Sequence, residues 1–99
     1  MNPQMIRKIQ QMQKEIEQAQ RDIEATEFQT SSGPVTIVMY GSREIKSVTI
    51  DETFEVTGAE DLEMLGDMVV AAAHKASEEI SCYTEEKMSK YKAFAGGLF

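Results

Sequence analysis

Only one cysteine, Cys82, occurs among the 99 residues, so no internal disulfide can form, and no metal-ligand partner stands near it. That usage suits a reducing compartment. Long apolar runs are also missing. None approaches the roughly 20 residues that a membrane span requires, and the first residues lack the apolar stretch of a signal peptide. We therefore expect a cytoplasmic protein with no membrane association. Histidine is nearly absent too: His74 stands alone in the alanine-rich run VVAAAHKASEE and reads as an ordinary helix residue. There is no Cys/His cluster, no G-x-G-x-x-G and no phosphate-loop glycine pattern, and the pairs Glu78-Glu79 and Glu85-Glu86 read as solvating charge on one helix. Nothing converges as an active site should. The expectation is no catalytic residue, no metal, no cofactor and no small-molecule substrate.

Positive charge is in short supply. Ten Lys and Arg stand against 17 Asp and Glu, a net charge of −7. Overall acidity argues against indiscriminate nucleic-acid binding, but not against a protein whose positive charge is gathered locally. The distribution is uneven. Residues 1–24 balance to zero, with Arg7, Lys8, Lys14 and Arg21 offsetting four acids. Residues 25–57 carry −3 and residues 58–99 carry −4, although Lys87, Lys90 and Lys92 fall near the end.

What the chain does have is periodicity. Met5, Ile9, Met12, Ile16, Ala19 and Ile23 are spaced 4, 3, 4, 3, 4 within a run, Met5 to Ala25, that contains no glycine or proline. This is the heptad alternation of a helix facing another helix, with isoleucine at every a-type position. Arg7, Lys14 and Arg21 are seven apart and form a basic stripe opposite that seam. The pattern then changes. TEFQTSSGPVTIVMYGSREIKSVTID is rich in β-formers and broken at Ser31-Ser32-Gly33-Pro34 and at Tyr40-Gly41-Ser42, which predicts strands at about 26–31, 35–40 and 44–50. Gly41-Ser42 suits a two-residue hairpin whose first position needs positive φ. Val35, Ile37 and Met39 point to one face, Val38 and Tyr40 to the other, so both faces call for cover. One helix layer covers one face and a second copy covers the other, which places Val35, Ile37, Val38, Met39, Val48 and Ile50 at a dimer interface.

Thr57 and Glu60 have the spacing of a capping box, with Asp61 and Glu63 adding negative charge in the first turn. A long helix follows to about Lys92 without a proline. Its first half is apolar (Leu62, Leu65, Met68, Val69, Ala72, Ala73, Ala76), and its second keeps a sparse stripe of Ile80, Tyr83 or Cys82, and Tyr91. The reading is a single α+β domain: helical arm 1–24, strand-rich dimerisation body 25–57 with three antiparallel strands, long helix 58–92, flexible tail 93–99. If the two helices pair antiparallel, Arg7 and Lys8 meet Lys87, Lys90 and Lys92 at the tip.

In order and spacing the chain resembles the YbaB/EbfC family of bacterial nucleoid-associated proteins. The resemblance rests on IQQMQKEIEQAQ, on VTIVMYG followed seven residues later by VTID, on EDLEML leading into VVAAAHKA, and on EEKM before a tail with glycines. It implies a tweezer-like homodimer with helical arms, binding double-stranded DNA in the nucleoid with little sequence preference and without catalysis. Where members can carry arginines in the middle of the last helix, this chain has Ser77-Glu78-Glu79, and its hairpin retains only Arg43 and Lys46. Those departures imply weaker DNA binding or a narrower footprint. Charge placement nominates Arg7, Lys8, Lys14, Arg21, Lys87, Lys90 and Lys92 as DNA contacts. The alternative is a dimeric adaptor whose arms hold a protein partner, favoured by the net charge and by the absence of surfaces that combine aromatic and basic residues.

Overall fold

The computed structural model describes the backbone of residues 2–98 and the side chains of residues 2–92. Helix α1 spans Pro3–Ala25. Its start is set by Asn2, whose backbone is extended and whose side-chain oxygen accepts the Met5 N–H at 2.8 Å. Pro3 occupies the first turn, where a missing N–H costs nothing. The helix stops at Thr26. Its backbone turns extended, its N–H bonds the Ile23 carbonyl at 3.1 Å, and its hydroxyl donates to the Asp22 carbonyl at 2.7 Å.

Strands β1 (Glu27–Ser32), β2 (Val35–Tyr40) and β3 (Ile45–Ile50) form an antiparallel sheet in that order. The β1–β2 turn has Gly33 at φ +55° followed by Pro34, the positive first position of a two-residue hairpin loop. That role was expected of Gly41-Ser42, and here the structure differs. The β2–β3 loop has four residues, and its left-handed residue is Arg43 at φ +74°, closed by hydrogen bonds from Tyr40 N–H to the Glu44 carbonyl (2.9 Å) and from Arg43 N–H to the Tyr40 carbonyl (2.7 Å). Gly41 is required for another reason: a Cβ there would stand 1.9 Å from the Ile23 carbonyl oxygen, so the hairpin tip lies hard against the end of α1. Lys46 is skipped in the pairing of β2 with β3, a bulge, and its amine pairs with Glu27 across the sheet.

Helix α2 spans Ala59–Leu98. The cap at its start is shifted by one residue from the predicted box. Asp61, not Glu60, reaches back, accepting the Thr57 N–H at 2.8 Å and the Thr57 hydroxyl at 2.7 Å. These two bonds hold the Asp61 carboxyl below its ordinary pKa of 3.8. The helix continues past Lys92 through Gly96-Gly97, and the flexible tail expected at 93–99 lies outside the residues whose side chains are described.

α2 packs over β1 and β2 and leaves β3 to one side. Ala72 and Ala76, both fully buried, let the helix axis approach closely, and the buried Thr30 hydroxyl donates to the Ala72 carbonyl at 2.6 Å. Phe28, Val35, Ile37, Met39, Leu65 and Ile80 complete the core, with Phe28 edge-on to Tyr83 at 5.3 Å between ring centroids. This corrects the expected interface. Val35, Ile37 and Met39 lie under the helix of their own chain, at 0, 0 and 6 % exposure. The opposite sheet face is not a second apolar face but a polar one, where Val38 and Tyr40 sit half-buried among Gln29, Ser31, Thr36, Ser47 and Thr49. The uncovered apolar surface is lateral. Ile45, Val48 and Ile50 pair with Met39, Ile37 and Val35 and so share the helix-facing side, yet remain 45–50 % exposed because α2 does not reach them.

The molecule is long and thin, 71 × 19 × 14 Å. α1 lies antiparallel against the second half of α2. Ile23 shares a groove with Ile80, and Ala19 shares another with Lys87 and Tyr91. Ile9, Met12, Ile16 and Ala19 are half-buried and Ile23 is buried, so α1 gains its cover along the seam read from the sequence from Ile9 onward, whereas Met5, expected to begin it, is 53 % exposed.

Candidate nucleic-acid interface

The seam fixes what α1 shows to solvent. With Ile9, Ile16 and Ile23 at a and Met12 and Ala19 at d, the residues opposite are Arg7, Lys14 and Arg21, all exposed. They form a straight row about 21 Å long, at 1.5 Å of rise per residue. Arg21 donates to the Gln18 side chain at 3.2 Å, and Gln18 in turn donates to Asp22 at 2.8 Å. No ion pair engages Arg7, Lys8, Lys14 or Arg21 among the described residues. The first carboxylate in the chain is Glu15, so the outer half of α1 carries Arg7, Lys8 and Lys14 with no acid to offset them. Its first turn also holds no acidic residue, which leaves the positive end of the helix dipole unneutralised.

The C-terminal lysines do not stand at the arm tip. Lys87 and Lys90 line a hollow with Ala19, Asp22 and Ile23, and Lys92 lines the neighbouring groove with Gln20 and Glu24. Arg7 is twelve residues from Ala19, about 18 Å along the axis, so the structure does not gather Arg7 and Lys8 with these three lysines. It brings them to the level of Arg21 instead. Lys87 lies over the Tyr83 ring at 5.4 Å and Lys90 over Tyr91 at 4.9 Å, while Lys92 approaches Glu85 at 3.7 Å.

The remaining cations are committed to the body. Lys46 pairs with Glu27, which raises its pKa through the hydrogen bond and the opposite charge. Lys75 donates to the Ser31 carbonyl at 2.9 Å. Arg43 donates to the Ser77 hydroxyl and to the Ser77 carbonyl (3.2 Å) with one nitrogen, and to the Ser81 hydroxyl (2.8 Å) with the other. Its role was not visible in advance. A non-glycine residue at positive φ leaves no mark in a sequence, although Ser77 and Ser81, four apart, do present two hydroxyls on one helix face. His74 is exposed and shares a shallow hollow with Ser77, Glu78, Ser81 and Cys82.

A model of the YbaB/EbfC DNA-binding family matches residues 1–95. The chain belongs to this family. A nucleoid-associated protein of Chloroflexus aurantiacus is 35 % identical over 98 residues, covering 97 % of this chain and 96 % of its own. A nucleoid-associated protein of Corynebacterium glutamicum is 36 % identical over 98 residues, covering 97 % and 93 %. Among solved structures, an uncharacterized protein from Helicobacter pylori superposes with a TM-score of 0.63 at 22 % identity over 96 % of each chain, a likeness of fold. In this member of the YbaB/EbfC family, no described helix is long and apolar enough to cross a membrane.

Proposed function

We propose that the chain is a nucleoid-associated protein of the bacterial cytoplasm that grips double-stranded DNA as a homodimer with little sequence preference, acting on chromosome organisation and gene expression. The observation that carries this reading, beside family membership, is the row of exposed cations along the outer face of α1 with no ion-pair partner among the described residues. A helix face bearing spaced cations and glutamines offers phosphate contacts, which position without reading sequence and release counterions. The C-terminal lysines, at the level of Arg21, extend that contact toward the body. The adaptor alternative loses ground to relatives whose names carry nucleoid association.

Dimerisation is supported by the uncovered flank. Arg43 of the β2–β3 loop reaches Ser77 and Ser81, while Lys75 reaches Ser31 on β1, so the Ser77 side of α2 faces the β3 side of the sheet. On that side stand Leu62 and Val70, 60 and 62 % exposed, with Gly66 between them. Ile45, Val48 and Ile50, 45–50 % exposed, add apolar strand surface on the same side. The cover proposed for this side is α2 of a second copy. Gly66, with open space where its Cβ would be, costs about 1 kcal/mol against alanine in a helix, and close approach of a partner helix accounts for it. Val48 and Ile50 thus remain in the proposed interface.

The test is fluorescence anisotropy on random-sequence duplex across a salt series. Changing Arg7, Lys14 and Arg21 together to Gln should weaken binding on all sequences. It should also flatten the slope of log affinity against log salt by about 0.9 for each phosphate no longer neutralised, or about 3 per protomer. Lys75→Gln should leave the slope alone. An unchanged slope in the triple variant moves the grip elsewhere, and wild-type protein without measurable affinity at low salt restores the adaptor.

A further inference from the structure

We infer that the face of α2 between Glu78 and Glu86 is a docking surface for the basic stripe of α1 from another copy of the chain, so that dimers associate with one another through the same residues proposed to grip DNA. Glu78 and Glu85 form one row on this face and Glu79 and Glu86 another, each pair seven residues apart and all four exposed. Cys82 stands between the rows, and a hollow lined by Phe28, Lys75, Cys82 and Tyr83 with Glu78, Glu79 and Glu86 runs along this face toward the sheet. Seven residues of helix advance about 10.5 Å, and that is also the step between Arg7 and Lys14 and between Lys14 and Arg21. Two neighbouring cations of the stripe therefore stand in register with the two glutamate pairs, each cation between two carboxylates and its methylene stem along the helix surface at Cys82.

The chain cannot make this contact with its own stripe. α1 packs by its seam on the Ile80 and Tyr91 side of α2, and the stripe faces away from α2 altogether. Among the described residues the ion pairs are Lys46–Glu27 and Lys92–Glu85, so Glu78, Glu79 and Glu86 have no cation of their own. The like-charged neighbours limit the footprint without closing it. Lys75 is turned toward the Ser31 carbonyl and Lys87 lies over the Tyr83 ring, which bounds the contact to the roughly three turns between them. The face is also open in the proposed dimer: Cys82, at its centre, lies about 160° around the helix from Gly66.

Exposed ion pairs are individually weak, so the association is weak and strongly screened. Its consequence is competition. Phosphate and the glutamate face seek the same cations, so a dimer held by another dimer is less available to DNA.

Sedimentation velocity without DNA tests this, which keeps it separate from whether the protein binds DNA. The weight-average sedimentation coefficient should rise with protein concentration at about 20 mM salt and stay flat at about 0.5 M, where the screening length is only a few ångströms. Changing Glu78, Glu79, Glu85 and Glu86 together to Gln should abolish the rise while circular dichroism shows the same helicity, and changing Lys14 and Arg21 to Glu should abolish it too. Mixing the Lys14→Glu, Arg21→Glu protein with one bearing Lys at the four glutamate positions should restore it. A glutamine variant that associates as wild type does, or wild-type protein of one constant size at low salt, overturns the inference.

Discussion

Gly41→Ala should release α1 from the body while the sheet stays folded. The added Cβ would stand 1.9 Å from the Ile23 carbonyl oxygen and 2.7 Å from its carbon. Both are backbone atoms, so no rotamer relieves the contact. The hairpin tip and the end of α1 must part by more than 1 Å, since Cβ atoms essentially never approach within 3.0 Å. That movement lengthens two hydrogen bonds beyond use: Gly41 N–H to the Thr26 carbonyl at 2.8 Å and Ser42 N–H to the Glu24 carbonyl at 3.3 Å. Each contributes about 1 kcal/mol net. If Ile23 then leaves its site, where it is 6 % exposed, roughly 1.5–3 kcal/mol of apolar burial goes with it. The local cost is about 3–5 kcal/mol, enough to detach an arm but within the 5–15 kcal/mol that holds a domain. Hydrogen exchange read by mass spectrometry should show lost protection across residues 10–25, with β2 and the first half of α2 unchanged. Gly33→Ala is the comparison. Its Cβ would meet the end of the Met68 side chain at 2.9 Å, which can move, so the substitution should cost only about the 1–2 kcal/mol of an alanine at positive φ and leave α1 protected. If Gly41→Ala protects α1 as well as wild type does, the hairpin tip does not hold the arm.

Ile50→Asp should give folded monomers by light scattering, whereas Ile37→Asp, placing a carboxylate at a fully buried site, should unfold the chain. Gly66→Leu should raise helicity yet weaken the dimer, and a tighter dimer would remove helix crossing at that point. Arg43→Gly should be about 1–2 kcal/mol more stable than Arg43→Ala in urea titrations, because both lose the bonds to Ser77 and Ser81 but only glycine relieves φ +74°; equal midpoints would argue against the left-handed backbone. The Asp61 carboxyl is held below 3.8 by Thr57, so its contribution is complete above the unfolded pKa and is lost as pH falls through the lower folded value. Amide exchange at residues 59–62, corrected for the intrinsic rate, should therefore show less protection as pH is lowered below about 4 in wild type, and low protection with little pH dependence in Asp61→Asn.

The elements were legible because each is locally over-determined. The 4-3-4-3-4 seam of α1, the Val-Thr-Ile-Val-Met-Tyr run of β2 and the alanines of α2 carry periods that no other structure satisfies, and the three strands fall within a residue of their expected places. What stayed hidden were contacts between elements. Val35, Ile37 and Met39 alternate correctly, but alternation cannot say whether the cover is a helix of the same chain or a second copy. Nor can it show that a helix covers two strands and misses the third, which moves the open apolar surface from the far face of the sheet to the flank at Val48 and Ile50.

The same limit governs charge. Counting places ten cations and 17 carboxylates on one chain, and a count treats them alike. In the fold, Arg43, Lys46 and Lys75 are held by serine hydroxyls, a glutamate and backbone carbonyls, and Lys92 by Glu85. Arg7, Lys8 and Lys14 have no such commitment and Arg21 bonds Gln18 of its own helix, because the seam turns Arg7, Lys14 and Arg21 directly away from the rest of the chain. A heptad therefore decides electrostatics as well as packing: burying a and d forces f outward, and whatever charge stands at f meets solvent, DNA or another molecule without internal competition. Moving the cations of that stripe to b, with composition and net charge unchanged, should lower DNA affinity if alignment matters. Equal affinity and salt slope in such a rearranged helix would mean that charge alone, and not its placement opposite the seam, sets the binding.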